Sequence, residues 1–245
     1  MSPLRWASAL ALVVTLGCGT ETPDPVVESA VAHGALLFGS ASLVKTTQNS
    51  YACATCHAVE VTPANDAILP GVTLAGVTKR PSFWNGMELD LLAAMNHCAY
   101  SFMLKDAPFT ATDENAKAVY AYLESLPSSP ELTLPQPFTV AYTVADVPSG
   151  DATRGEALYR RACTSCHGPK STGTGRLVKR APVLPEQTVA DHPSDKYTRA
   201  EVRLVFVEKV RHGGFVGYGG QMPPFAREKL SDQELGDILE FLDVR

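Results

Sequence analysis

Two pentapeptides constrain this chain more than any other feature: Cys53-Ala54-Thr55-Cys56-His57 and Cys163-Thr164-Ser165-Cys166-His167. They take up four of the six cysteines and leave Cys18 and Cys98. A secreted disulfide framework would explain the pairs but not the His that follows each one. Thioredoxin-type redox pairs need a strand-helix setting that is missing here. A zinc site needs its four ligands grouped around one metal. Covalent haem attachment explains every residue of the pattern. Two thiols spaced by two residues on a helical turn match the two haem vinyl groups and can add to them as thioethers. The adjacent His then ligates iron from the proximal side. The expected cofactors are two covalently bound haem c groups. Cys53, Cys56, Cys163 and Cys166 are the attachment points, and His57 and His167 the iron ligands. The macrocycle also brings apolar surface to domains of marginal size.

A length of 245 residues suggests one or two domains. Residues from about 127 to 150 hold Pro127, Ser128, Ser129, Pro130, Pro135, Pro137 and Pro148, a composition that reads as a linker rather than a packed element. Comparison of the two flanking halves reveals a repeat. Each motif is preceded by a helix-like Gly-x-x-apolar-aromatic segment, Gly34 to Phe38 and Gly155 to Tyr159. From that Gly to the first motif Cys is 19 residues in the first half and 8 in the second, so the first half carries 11 extra residues within Gly39 to Tyr51.

Each half also ends in a helical pattern with a start signal. Thr112 is placed to cap Asp113-Glu114, and Ser231 to cap Asp232-Gln233-Glu234. Apolar residues at i, i+3 and i+4 mark one buried face, through Val119 and Leu123 in the first and through Leu235, Ile238, Leu239 and Leu242 in the second. A Met lies 10 residues before each helix-starting Asp, Met103 before Asp113 and Met222 before Asp232.

With helix, haem motif, Met loop and terminal helix in that order, each half resembles a class I cytochrome c domain. The resemblance covers about 31–127 and 151–245. It implies an all-α fold of two tandem class I cytochrome c domains, with residues 128–150 as the linker. It also implies that Gly34 and Phe38 pack on Tyr122, and Gly155 and Tyr159 on Phe241. In the second half, Gly219-Gly220-Gln221-Met222-Pro223-Pro224-Phe225 matches the family's distal loop, which makes Met222 the expected sixth iron ligand. A thioether favours Fe(II) and raises the potential; axial ligands shift haem potentials across roughly 0.8 V.

The first haem has competing distal ligands in Met95-Asn96-His97-Cys98-Ala99-Tyr100-Ser101-Phe102-Met103. The internal register favours Met103, with Cys98 and then His97 as rivals. Asn96, Cys98 and Met103 also resemble a segment of thiosulfate dehydrogenases and SoxA-type sulfur-oxidation cytochromes. That resemblance implies Cys98 as the ligand of a catalytic haem. Ser101 and Phe102 stand where those enzymes typically have an Arg-Ser pair, which leaves Arg80 and Lys79 as substitutes for holding an anion. The alternative role of Cys98 is a buried small hydrophobe beside a Met-ligated haem. His33, His192 and His212 are expected to be surface or internally satisfied residues, and Trp84 to pack over the haem edge.

The N-terminus reads as an export signal. One positive charge precedes a short apolar run, Ala7 to Leu16, about half of the roughly 20 residues a spanning helix needs. Leu16-Gly17-Cys18 resembles a bacterial lipoprotein signal, which implies lipidation of Cys18. The expected plan is a signal peptide with a lipobox-like end at 1–18 and a linker at 19–30, ahead of the first domain. Several acyl chains at about 0.8 kcal/mol per buried CH₂ would anchor the protein firmly. A net charge of −5 argues against nucleic acid as a partner. The first expectation is therefore an electron carrier on the periplasmic side of a bacterial membrane, lipid-anchored or else free in the periplasm, serving redox protein partners. The alternative is an oxidoreductase acting on a small sulfur anion at the first haem.

Overall fold

The computed structural model describes residues 25–63, 66–214 and 220–244. Cys18 and the export signal lie outside the described residues. In chain order the helices are α1 (Pro25–Phe38), α2 (Cys53–Cys56), α3 (Leu91–Ser101), α4 (Glu114–Ser125), α5 (Ala152–Ala162), α6 (Thr164–His167), α7 (Glu186–Asp191), α8 (Arg199–His212) and α9 (Asp232–Phe241). Among the described residues there is no strand, only an isolated bridge between Phe83 and Glu88. The fold is all-α, as the sequence leads one to expect.

The same helix pair is built twice. α1 crosses α4 at Gly34, where a Cβ would lie 1.9 Å from the Ala118 carbonyl oxygen. α5 crosses α9 at Gly155, where a Cβ would lie 1.9 Å from the Asp237 carbonyl oxygen. Only a hydrogen in place of the side chain lets the backbones come this close. One turn further on, Phe38 packs on Tyr122 with ring centroids 5.4 Å apart, and Tyr159 on Phe241 at 5.6 Å. Both aromatic contacts are the ones the resemblance implied. The stripe read from the sequence is buried: Val119 and Leu123 in α4, and Leu235, Ile238 and Leu239 in α9. Each such side chain contributes roughly 1.5–3 kcal/mol of burial.

The helix starts follow the sequence with one correction. Ser231 caps α9 in a reciprocal box with Glu234. At α4 the cap is Asp113, whose carboxylate accepts from Asn115 N and Ala116 N at 2.9 and 3.1 Å. Thr112 instead bonds the Thr110 hydroxyl. The charged acceptor wins because it also suits the positive end of the helix dipole.

Residues 128–150 have little regular structure beyond a short turn at Glu131–Thr133, yet they are packed. Phe138, Val140, Ala141 and Val147 are buried. Phe138 meets Trp84 edge-on at 5.4 Å. Buried Arg203 on α8 holds the end of this strap through Asp146 Oδ1 and the carbonyls of Val147 and Pro148, and it also donates to the Val244 carbonyl. The two halves touch elsewhere as well. Arg161 donates to the Asp66 carbonyl and carboxylate at 2.7 and 2.8 Å, and Ile68 N donates to the Arg161 carbonyl at 3.1 Å.

Candidate haem centres

α2 is a single turn carrying Cys53 and Cys56, so both thiols project to one side, and His57 ends the turn in extended conformation. Cys53, Cys56 and His57 line one cavity that opens to solvent on one side. Its walls are almost wholly apolar and include Phe38, Leu74, Val77, Phe83 and Trp84. Burial pushes the Cys53 thiol up to about 11 and Cys56 well above its usual value. A free thiol here stays protonated at neutral pH.

The His57 ring is aimed by its far nitrogen. Nδ1 lies 2.8 Å from the Val72 carbonyl oxygen. A carbonyl only accepts, so Nδ1 carries the proton and Nε2 keeps its lone pair. This hydrogen bond is the usual device for orienting a metal-ligating His. Burial lowers the affinity of His57 for a proton, which also favours the neutral ligand form. Gly71 lies flat against this ring, where a Cβ would be 2.4 Å from Nδ1.

The second motif repeats the arrangement on α6. His167 Nδ1 lies 3.0 Å from the Pro182 carbonyl oxygen. The partner carbonyl is 15 residues after the His in both halves. Burial lowers the proton affinity of His167 and pushes the Cys163 thiol up to about 12. Neither this orientation nor its spacing was readable from sequence, because a backbone acceptor leaves no residue-type signal. The residues at both motifs suit haem c: two thiols, one aimed neutral imidazole and, at the first, an apolar cavity.

The structure brings the distal candidates close without choosing between them. Cys98 and Met103 both line the first cavity, as does Met95. Burial pushes the Cys98 thiol up to about 12, so without a metal it is a neutral apolar group. His97 is absent from the cavity wall; its ring packs on Trp84 at 5.5 Å, and Nδ1 lies 3.6 Å from Glu88. Arg80 does stand at the wall, but Nε donates to the Leu132 carbonyl and one terminal nitrogen to those of Thr73 and Ala75. Burial lowers its pKa to about 10. Lys79 turns to the Ser128 hydroxyl. Trp84 lines the cavity.

In the second half, Met222 and Cys163 pack against the same core cluster. The Met222 carbonyl accepts from Gly214 N at 2.8 Å, and Phe225 N donates to the Val210 carbonyl at 2.8 Å, so the loop is tied at both ends to the end of α8 and the turn after it. His192 is satisfied by the Thr188 carbonyl at 2.8 Å. His212 is buried 3.8 Å from Glu208.

The model of the family described as cytochrome c oxidase, cbb3-type, subunit III matches residues 150–242. Those residues form a cytochrome c domain. Such a domain carries covalently bound haem c and passes electrons to redox partners. The cytochrome c domain takes in Cys163, Cys166, His167 and Met222. Among solved structures, a similar one is thiosulfate dehydrogenase (TsdBA) from Marichromatium purpuratum in its "as isolated" form. It is 18% identical with a TM-score of 0.44, and the match covers 91% of this chain and 47% of that one. This chain therefore spans about half that chain's length. No curated protein matches. No described helix is long and apolar enough to cross a membrane.

Proposed function

We propose that this protein is a di-haem electron carrier, with one haem c on each half. Its domains are 31–127 and 151–245. Attachment is through Cys53 and Cys56 in the first and Cys163 and Cys166 in the second. His57 and His167 are the proximal ligands, Met222 the distal ligand of the second haem, and Met103 that of the first. The observation that carries this reading is the twice-built imidazole: in each half the His after the Cys pair gives its Nδ1 proton to a backbone carbonyl 15 residues on. The haem supplies a site that gains and loses one electron. The chain's part is to aim Nε2, seal the ring edge with apolar side chains and keep water from the iron. Cys18 is proposed to be lipidated and to hold the protein on the periplasmic face of a membrane.

The test is a haem count. Intact mass and a pyridine haemochrome assay should give two haems per chain. Cys53→Ala/Cys56→Ala and Cys163→Ala/Cys166→Ala should each give one. A wild-type count of one would overturn the reading. Cys18→Ala should release the protein from the membrane fraction.

A second reading, a sulfur-compound oxidoreductase working at the first haem, is favoured by Cys98 on the wall of the same cavity as His57. It expects a low-spin thiolate signal in electron paramagnetic resonance that Cys98→Ala abolishes. It also expects thiosulfate-dependent reduction of an electron acceptor. A spectrum altered only in Met103→Ala supports the carrier.

A further inference from the structure

The 11 extra residues of the first half have no counterpart in the second, and the electron-carrier reading gives them no task. Their C-terminal end, Asn49-Ser50-Tyr51, is where the two halves are joined. Asn49 is buried at 6% exposure. Its Oδ1 accepts from Tyr51 N at 3.1 Å. Its Nδ2 donates to the Phe102 carbonyl at 3.0 Å and to Gln221 Oε1. A backbone donor on one side and a backbone acceptor on the other leave no freedom to flip the amide. Phe102 is the residue before Met103, and Gln221 the residue before Met222. One amide group thus reaches the neighbour of the proposed distal ligand at each haem.

The surrounding contacts point the same way. Ser50 N donates to the Leu177 carbonyl at 3.2 Å, and Leu177 N donates to the carbonyl of Ser165, inside the second Cys pair, at 3.0 Å. Tyr51 is buried, lines the first cavity and packs in one cluster with Cys166 and Met103. Immediately after Met222, Pro223 and Pro224 form part of the wall of the first cavity. The distal loop of the second half therefore has two faces. Met222 lies on its own core and the two prolines on the other haem's cavity.

We propose that Asn49 is a positioning residue for both haem sites, holding the segment before Met103 and the segment before Met222 in fixed register, so that distal ligation at one haem is coupled to that at the other. The proposal rests on the two-haem reading. Loosening of this clasp frees Gln221, and with it Met222, although Asn49 belongs to the other half.

The test uses the full-length holoprotein and begins with the haem count. A count of one overturns the two-haem reading and this proposal together. With two haems attached, the midpoint potential of each haem and the rate of cyanide binding to each ferric iron are compared in wild type, Asn49→Asp and Gln221→Leu. Asn49→Asp keeps the acceptor for Tyr51 N and loses both donors. It should speed cyanide entry at the second haem by about tenfold, the usual scale for loss of a group that orients a metal ligand, and shift both potentials. Gln221→Leu should reproduce the change at the second haem, and Gln221→Glu, which keeps the acceptor, should restore the wild-type rate of cyanide binding there. If both loss variants lower the melting temperature but leave potentials and cyanide rates unchanged, Asn49 is structural packing only and the proposal fails. Gln221→Leu alone decides the matter if Asn49→Asp does not fold.

Discussion

Asp237 lies under Arg154, whose Nε and a terminal nitrogen reach its two carboxylate oxygens at 2.8 and 2.9 Å. Asp237 also accepts from Asp151 N at 2.8 Å and so ties the start of α5 to the middle of α9. The Arg154 hydrogen bonds outweigh burial and hold the Asp237 carboxyl below the usual range. A group with a depressed folded-state pKa contributes stability above its unfolded value, near 3.9, and loses it as pH falls through the folded value. Wild type should therefore melt several degrees above Asp237→Asn at neutral pH. That gap should close below about pH 4, as thermal scans from pH 7 to pH 2 would reveal. A gap independent of pH would mean that the ion pair is not its source.

The helix crossings tolerate no added carbon. At both Gly34 and Gly155 the nearest neighbour of a new Cβ is a backbone carbonyl, which cannot swing aside. Gly155→Ala should lower unfolding free energy by about 3 kcal/mol, the upper end of overpacking. Gly34→Ala should act similarly on the first half. Denaturant titration followed by helix circular dichroism checks both, with Ala157→Gly, at a position outside the crossing, as a control for propensity alone.

Arg203 is the peg of the strap. Arg203→Met keeps much of the volume but leaves the carbonyls of Val147, Pro148 and Val244 without this donor. The expected loss is about 3 kcal/mol. Limited proteolysis should then cut near residues 144–148, where wild type resists.

Cys98 offers a chemical check on its surroundings. Its thiol is half-buried on the cavity wall, and desolvation pushes it up to about 12, so alkylating reagents at neutral pH should label it far more slowly in the folded protein than after unfolding. Rapid labelling of the folded holoprotein would contradict the packing of α3 against the cavity.

The parts legible in the sequence were those written as residue types at fixed offsets. Gly34 and Gly155 sit at the helix crossings with their aromatic partners in contact, and Ser231 caps α9, as the pattern led one to expect. What escaped was written in backbone atoms or in long-range meetings. The Val72 and Pro182 carbonyls that aim the two imidazoles have no side-chain signature. Asn49, Phe102 and Gln221 come together only once both halves are folded. The Pro- and Ser-rich composition of 128–150 reads as a linker rather than a packed element, yet Phe138, Val140 and Val147 are buried, because composition cannot say whether an irregular segment is packed. Phe138, Val140 and Val147, apolar residues set among the prolines, were the available hint. Nor does the segment around Cys98 and Met103 reveal its distal ligand, since α3 and the turn after it present both sulfurs to one cavity.

The position of Pro223 and Pro224 bears on how this chain could be taken apart or recombined. A chimera that kept residues up to the strap and received some other cytochrome domain after it would inherit a first cavity with one side missing. Expression of the first half alone would expose the same gap to water. The smallest unit that can be transplanted with its first cavity complete is the pair, because the second half serves as a piece of the first one's housing.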